Sequence, residues 1–109
     1  MNSALIIVNP VAPNLPSARR LREAASWLRG QGWTVEWAFT RGAGEATAIA
    51  AGAAQDGRPL VVVCGGDGTI NEAINGLAGS DTALAVIPAG TANAWAKEAG
   101  IPRRPLAAL

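Results

Sequence analysis

The chain has 109 residues, of which half are apolar, and a formal net charge of +1 at pH 7. This length suits one small domain, and so small a net charge offers no electrostatic basis for binding nucleic acid. The absence of histidine excludes the commonest general base and metal ligand at neutral pH. The one cysteine forms no internal disulfide, and no apolar run is long enough to span a membrane. We therefore expect a cytoplasmic globular domain.

Apolar runs and helical patterns alternate along the first half of the chain. The apolar run at residues 4–8 predicts a buried strand that stops at Asn9-Pro10. Ser17 is suited to capping a helix that extends to about residue 30, with leucines and alanines along one side. A second strand is predicted at residues 33–39 and a second helix at residues 45–55.

The second half repeats this alternation. Residues 59–64 are the most apolar stretch and predict a third strand, which the glycine-rich run 65–69 follows directly. A third helix opens from this run, and we expect it to bury its apolar side chains, which are Ile70, Ala73, Ile74 and Leu77. A fourth strand is predicted at residues 83–87 and a short fourth helix at residues 92–99.

The predicted fold class is α/β, a Rossmann-like domain with three layers (α/β/α) and a mostly parallel sheet of about four strands. Strands that are apolar throughout are typical of a parallel sheet covered on both faces. Right-handed crossovers bring the carboxyl ends of the strands to one edge, where ligands bind in such sheets. The loops at this edge begin at Asn9-Pro10, at Thr40, at residue 65 and at residue 88.

The run Gly65-Gly66-Asp67-Gly68-Thr69 has the pattern of an anion site. Glycines let backbone N–H groups approach a ligand closely, and the start of a helix favours phosphate. Asp67 places a carboxylate among these donors, where it is suited to meeting a metal ion or taking a proton from a hydroxyl. The alternative is a glycine-rich turn in which Asp67 only caps the helix.

The other loops of this edge have weaker patterns. The loop after the fourth strand contains Gly90, Thr91 and Asn93 and again places a glycine and a hydroxyl at the start of a helix. Its alternative interpretation is an ordinary cap by Thr91. Taken alone, Asn9-Pro10 and Thr40 are explained by the ends of strands, and they gain interest because they fall on the same edge.

The third helix carries polar residues beside its apolar ones. Asn71 and Asn75 lie one turn apart and form either a solvated face or part of a site. Glu72 lies in the first turn, where its charge suits the helix dipole, and it is placed to hold neighbouring loops by accepting hydrogen bonds.

The aromatic and basic residues have simpler interpretations. The four tryptophans are expected to pack at the edge of the core, and they are Trp27, Trp33, Trp37 and Trp95. The arginines of the first helix and the pair at residues 103–104 are expected to be solvated. Transient contact of these arginines with an anionic membrane surface is the alternative.

The loops resemble the catalytic domain of the diacylglycerol kinase family, which includes sphingosine kinases and bacterial lipid kinases. The matching residues extend over nearly the whole chain, and they are Asn9-Pro10, Thr40, Gly65-Gly66-Asp67-Gly68-Thr69-Ile70-Asn71-Glu72, Asn75-Gly76 and Pro88-Ala89-Gly90-Thr91-Ala92-Asn93. The glycine core at residues 65–69 is also similar to that of NAD kinases. The Asn71-Glu72 extension and the loop at residues 88–93 favour the lipid kinases.

The resemblance implies an ATP site that works with Mg²⁺. Residues 65–69 would surround the phosphates, and Asp67 would be the catalytic residue, either accepting the proton of the lipid hydroxyl or acting through Mg²⁺. No protein ligand of the metal is assigned. The implied nucleotide-binding residues are Asn9, Pro10, Thr40, Gly65, Gly66, Asp67, Gly68, Thr69, Asn71, Glu72, Gly90, Thr91 and Asn93.

The resemblance also implies a longer protein, because members of the family carry a second, β-rich domain that binds the lipid acceptor. We therefore expect residues 1–109 to be a single nucleotide-binding domain, a fragment or truncated product of a lipid kinase that is inactive alone. Peripheral membrane association and oligomers formed through exposed apolar surface are compatible with this interpretation. The alternatives are a non-catalytic nucleotide-binding module and an NAD-kinase-like enzyme.

Overall fold

The computed structural model describes residues 2–12 and 15–87, which form one sheet and three helices. In chain order the elements are β1 (Ser3–Val8), α1 (Ala18–Gly30), β2 (Thr34–Phe39), α2 (Glu45–Gln55), β3 (Leu60–Cys64), α3 (Asp67–Leu77) and β4 (Ala83–Val86). Each strand prediction is confirmed, with bounds that differ by one residue at one end. The fourth helix, predicted at residues 92–99, lies outside the described residues.

The sheet is parallel throughout, with the strand order β2-β1-β3-β4. The chain thus leaves β1 towards one edge of the sheet and later returns past β1 to form β3 on its other side. The two central strands are β1 and β3, and every residue of β3 is buried. The predicted α/β class with a parallel sheet is confirmed.

The helices cover both faces of the sheet, so the domain has three layers. On one face, Ile6 and Val8 of β1 pack with Leu21 and Leu28 of α1. The alternate β1 residues, which point to the opposite face, pack against the alanines of α2 and α3. These small side chains let both helices lie close to the sheet.

The tryptophans of the described residues lie at the border of the α1 side of the core. Trp33 is buried, and Trp27 and Trp37 are half-buried against the same cluster. The ring of Trp37 stacks on that of Phe39, with centroids 6.2 Å apart. The prediction that these tryptophans pack at the core edge is confirmed, and Trp95 lies outside the described residues.

Helices α2 and α3 touch through small residues, and this contact corrects one prediction. A Cβ atom built on Gly76 would lie 2.8 Å from the Cβ of Ala50 and 3.0 Å from the backbone nitrogen of Ala51. The side of α3 that carries Ala73, Gly76 and Leu77 therefore faces the interior. Ile74 follows Ala73 in the sequence and therefore lies outside this side of the helix, and it is 49% exposed. The prediction that Ile74 is buried was wrong.

The outer side of α1 is basic. The side chain of Arg19 is 84% exposed and its Nε lies 3.2 Å from Glu23 Oε1. Arg20, Arg22 and Arg29 are exposed as well, as predicted for solvated arginines. In the part of the chain that the structure describes, none of the helices has the length and apolar character needed to cross a membrane.

Candidate functional site

A cleft of about 500 Å³ opens at the carboxyl edge of the sheet. The chain after β1 leads to β2 on one side of the sheet, and the chain after β3 leads to β4 on the other side. The loops that follow β1 and β3 therefore diverge and leave a crevice between them. The cleft is lined by Asn9, Pro10, Val11, Thr40, Arg41, Gly42, Ala43, Gly68, Thr69 and Glu72. Three loops that are distant in the sequence therefore meet where this fold class binds ligands.

Asn9 joins the loop after β1 to the start of α3. Its backbone N–H donates to the carbonyl of Cys64 at 2.9 Å, which extends the pairing of β1 and β3. Its side-chain Nδ2 donates to Thr69 Oγ1 at 3.2 Å, and its Oδ1 accepts from the backbone N–H of Val11 at 3.2 Å. Asn9 is thus more than a strand terminator, because its amide fixes two walls of the cleft.

The glycine run places the start of α3 at the cleft. Gly66 is the N-cap residue and no side chain caps the helix, so the alternative in which Asp67 acts as the cap is not observed. A Cβ atom on Gly65 would lie 2.8 Å from the Cβ of Thr69, so glycine is required there for close packing. The free N–H groups of this helix start and its dipole favour an anion.

Glu72 holds the start of α2. Its Oε1 accepts hydrogen bonds from the backbone N–H groups of Gly44 at 3.0 Å and Ala46 at 3.3 Å. The hydroxyl of Thr47 donates to the backbone carbonyl of Glu72 at 3.0 Å. The prediction that Glu72 holds neighbouring loops by accepting hydrogen bonds is confirmed.

The loop after β2 supplies a wall of the cleft in which Thr40 was predicted and Arg41, Gly42 and Ala43 were not. Thr40 is buried, and its backbone N–H donates to the carbonyl of Val8 at 2.9 Å. Arg41 follows and brings a positive charge to the cleft, while its backbone N–H donates to Glu45 Oε1 at 3.2 Å. The signal for Arg41 was its place directly after a strand, on the same edge as the glycine run.

The structure brings together six of the residues predicted for the site. They line the cleft and are Asn9, Pro10, Thr40, Gly68, Thr69 and Glu72. Gly65, Gly66 and Asp67 precede Gly68 directly at the start of α3. Asn71 is exposed on α3 and is not among the lining residues. Gly90, Thr91 and Asn93 lie outside the described residues.

The acidic and thiol groups around the cleft limit its chemistry. Among residues 2–12 and 15–87, no three histidine, cysteine, aspartate or glutamate side chains cluster as ligands for a metal ion. Asp67 is exposed at the start of α3. Cys64 ends β3 just before the glycine run, but burial raises the pKa of its thiol to about 12. This thiol stays protonated near neutral pH and is a packing residue, not a nucleophile.

The chain matches the diacylglycerol kinase catalytic domain over residues 3–109. It belongs to this family. The resemblance carried by the glycine run and by Asn9 is thereby confirmed.

Two relatives within the family show how much of such proteins the chain represents. It is 42% identical over 91 residues to a Pseudomonas putida protein named "Probable lipid kinase YegS-like", covering 82% of this chain and 31% of that protein. It is 40% identical over 105 residues to a diacylglycerol kinase of Bacillus subtilis, covering 94% of this chain and 35% of that protein. The chain thus spans about a third of the length of these relatives.

A solved structure of the family has the same architecture. The crystal structure of a diacylglycerol kinase from Bacillus anthracis aligns with 94% of this chain and 38% of its own, at a TM-score of 0.69 and 32% sequence identity. The parallel sheet with helices on both faces is therefore the fold of a diacylglycerol kinase in this region.

Proposed function

We propose that this chain is the ATP-binding part of a lipid kinase that transfers the γ-phosphoryl group of ATP to the hydroxyl of a lipid such as diacylglycerol. The observation that supports the proposal best is the cleft at the carboxyl edge, where Asn9 and Thr69 meet beside a helix start that no side chain caps. A helix start of this kind is a site for phosphate, and the chain belongs to a kinase family.

In this proposal the phosphates lie at the start of α3. Gly68 has no side chain, so the backbone N–H groups there are accessible to phosphate oxygens. Asn9 and Thr40 contact the nucleotide from the ends of β1 and β2, and Arg41 adds positive charge to the lining of the cleft. Phosphoryl transfer depends mainly on such positioning and charge neutralisation.

Asp67 is the residue proposed to act closest to the reacting groups. A single exposed carboxylate beside a phosphate site suits Mg²⁺, which prefers one or two carboxylates together with phosphate oxygens and water. Mg²⁺ would be held by Asp67 and the phosphates, and when bound it would neutralise charge on the transferred group. The carboxylate of Asp67 is equally suited to accept the proton of the acceptor hydroxyl.

The acceptor lipid is proposed to bind in a second domain, outside this chain. The two relatives are about three times as long as the part that this chain matches, and their names describe a lipid kinase and a diacylglycerol kinase. The nucleotide site of residues 1–109 would then act on a lipid bound elsewhere in the same protein, during transient contact with a membrane surface.

The proposal is tested with the protein expressed from the whole open reading frame that encodes this chain. Transfer of phosphate from ATP to diacylglycerol in detergent micelles is compared for the wild type, Asp67→Asn and Asp81→Asn, the last an exposed aspartate beyond α3. We expect Asp67→Asn to lose about a hundredfold or more in kcat and Asp81→Asn to retain activity.

The same assay separates the alternative functions. ATP binding without transfer to any acceptor would favour a non-catalytic nucleotide-binding module. Transfer to NAD, with none to lipid, would favour an NAD-kinase-like enzyme. An Asp67→Asn variant as active as the wild type would show that the role given to Asp67 is wrong.

A further inference from the structure

We infer that Glu72 is a positioning residue that caps α2 from α3 and thereby fixes the loop of residues 41–44 along the cleft. The effect on nucleotide affinity rests on the proposed function, whereas the capping contact does not.

Helix α2 lacks a cap from its own sequence. Its N-cap residue is Gly44, which has a φ of +85° and no side chain that could accept a hydrogen bond. The first N–H groups of a helix need partners, and a carboxylate is the most favourable one because of the helix dipole. Glu72 supplies that carboxylate, and its Oε1 accepts from both Gly44 and Ala46.

The contact between the two helices is reciprocal, which holds Glu72 in place. While the Glu72 side chain caps α2, the hydroxyl of Thr47 in α2 donates back to the Glu72 carbonyl at 3.0 Å. One turn further along α3, the missing side chain of Gly76 allows the backbone of α2 to approach closely. Both the side chain and the backbone of Glu72 are therefore fixed by α2.

The loop of residues 41–44 depends on this cap. Its first residue is held because the backbone N–H of Arg41 donates to Glu45 Oε1, and its last because the N–H of Gly44 donates to Glu72 Oε1. The two glycines of the loop give it many conformations in the absence of such ties. With both ends fixed, Arg41 and its neighbours form a preorganised wall of the cleft.

Charge also argues against a contact between Glu72 and the phosphates of the nucleotide. Its carboxylate is negative, and one of its oxygens already accepts two backbone N–H groups. Phosphate oxygens are negative as well and would be repelled. Loss of Glu72 should therefore weaken nucleotide binding through disorder of the loop, raising KM for ATP more than it lowers kcat.

The test compares Glu72→Gln and Glu72→Ala in the protein expressed from the whole open reading frame. Glutamine keeps an oxygen that can accept from both N–H groups, and alanine keeps none. In Glu72→Ala we expect amide hydrogen exchange at Gly44 and Ala46 to accelerate about tenfold or more, with KM for ATP raised about tenfold and kcat within about threefold of the wild type. In Glu72→Gln we expect amide hydrogen exchange at Gly44 and Ala46 to stay within about threefold of the wild type.

Two further variants separate positioning from a loss of stability. Leu77→Val trims a buried side chain at the far end of α3 and should lower stability without changing KM for ATP. If Glu72→Ala does not fold, Glu72→Asp replaces it, because the shorter side chain cannot reach both N–H groups. The same rise in exchange and in KM is expected for that variant.

The possible outcomes test the capping role of Glu72 and the proposed ATP binding separately. Unchanged exchange at Gly44 and Ala46 in Glu72→Ala would overturn the capping role, as would Glu72→Gln behaving like Glu72→Ala. Faster exchange with an unchanged KM for ATP would overturn the link to the nucleotide. A wild type that binds no ATP would instead contradict the proposed function, and the exchange rates would still decide whether Glu72 fixes the loop.

Discussion

Asn9 Nδ2 donates a hydrogen bond to Thr69 Oγ1 over 3.2 Å, although the two residues are 60 positions apart in the chain. The bond links the end of β1 to the first turn of α3. Both side chains lie at the cleft, and Thr69 is buried. The two walls of the cleft are therefore tied to each other before any ligand arrives.

The strength of this tie can be measured with a double-mutant cycle of Asn9→Ala and Thr69→Val. We expect a coupling energy of about 0.5–1.5 kcal/mol in the free energy of unfolding from urea titrations, because each change removes one partner of the same bond. Asn75→Ala, at an exposed position on α3, serves as the control and should change stability by less than about 0.5 kcal/mol. Additive effects of the two cleft substitutions would show that the bond contributes nothing.

Substitution by alanine should have opposite effects on stability at Gly65 and at Gly68. Gly65→Ala places a Cβ atom 2.8 Å from the Cβ of Thr69, and we expect a loss of about 1–3 kcal/mol in the free energy of unfolding. Gly68→Ala meets no atom within 4 Å and lies within α3, so it should gain up to about 1 kcal/mol.

The same pair also tests the phosphate site, because Gly68 lines the cleft. Despite its higher stability, Gly68→Ala should bind ATP at least about tenfold more weakly, since the new methyl group obstructs approach to the backbone. Calorimetric titration with Mg²⁺ and ATP measures this loss. Unchanged affinity would place the phosphates away from Gly68.

Gly76 should be intolerant of alanine although it lies in a helix. Its Cβ atom would lie 2.8 Å from the Cβ of Ala50, so α2 must shift away, and we expect a loss of about 1–3 kcal/mol in the free energy of unfolding. The matched control is Gly52→Ala in α2, where no atom lies within 4 Å and a gain of about 0.5–1 kcal/mol is expected. Urea unfolding measures the stability of both variants. A gain of stability in Gly76→Ala would refute the close contact.

Stability should fall in alkaline solution because of Cys64. Burial raises the pKa of its thiol from 9.0 to about 12, so the unfolded chain releases this proton at a lower pH than the folded one. The stability contributed by the protonated thiol is intact below pH 9. Above pH 9 the free energy of unfolding falls by up to about 1.4 kcal/mol per pH unit, until the folded thiol ionises near pH 12. The chain has no tyrosine to titrate in this range.

The variant Cys64→Ala isolates this effect in urea titrations between pH 8 and pH 10.5. We expect a shallower dependence of the free energy of unfolding on pH than in the wild type, since alanine has no proton to release. Equal slopes in the two proteins would rule out Cys64 as the cause.

The order of the elements could be predicted from the sequence because β1 and β3 are apolar runs and because Ser17 and the glycine run mark the starts of helices. The order of the strands could not, since apolar side chains alone do not show that β3 lies beside β1. The exposure of Ile74 was also missed, because it depends on which side of α3 meets α2. That side is set by the close approach at Gly76.

The site was predicted where its residue types are distinctive. Three glycines around Asp67, and an Asn-Pro pair after a strand, are unusual enough to be recognised locally. The wall formed by Arg41, Gly42 and Ala43 was missed because these residues are ordinary for a loop and gain meaning only from the strand order. The hydrogen bond from Gly44 to Glu72 could not be predicted either, because it depends on how α2 packs against α3.

The position of Cys64 also makes the protein its own reporter of rare opening events. The Cys64 side chain has no exposed surface and packs in the core between the sheet and α1, at the carboxyl end of β3. A thiol reagent can reach it only after this part of the core has opened, and the sequence offers the reagent no other cysteine. The rate of covalent tagging, followed by mass spectrometry, therefore reports how often the α1 side of the core opens, without any introduced label.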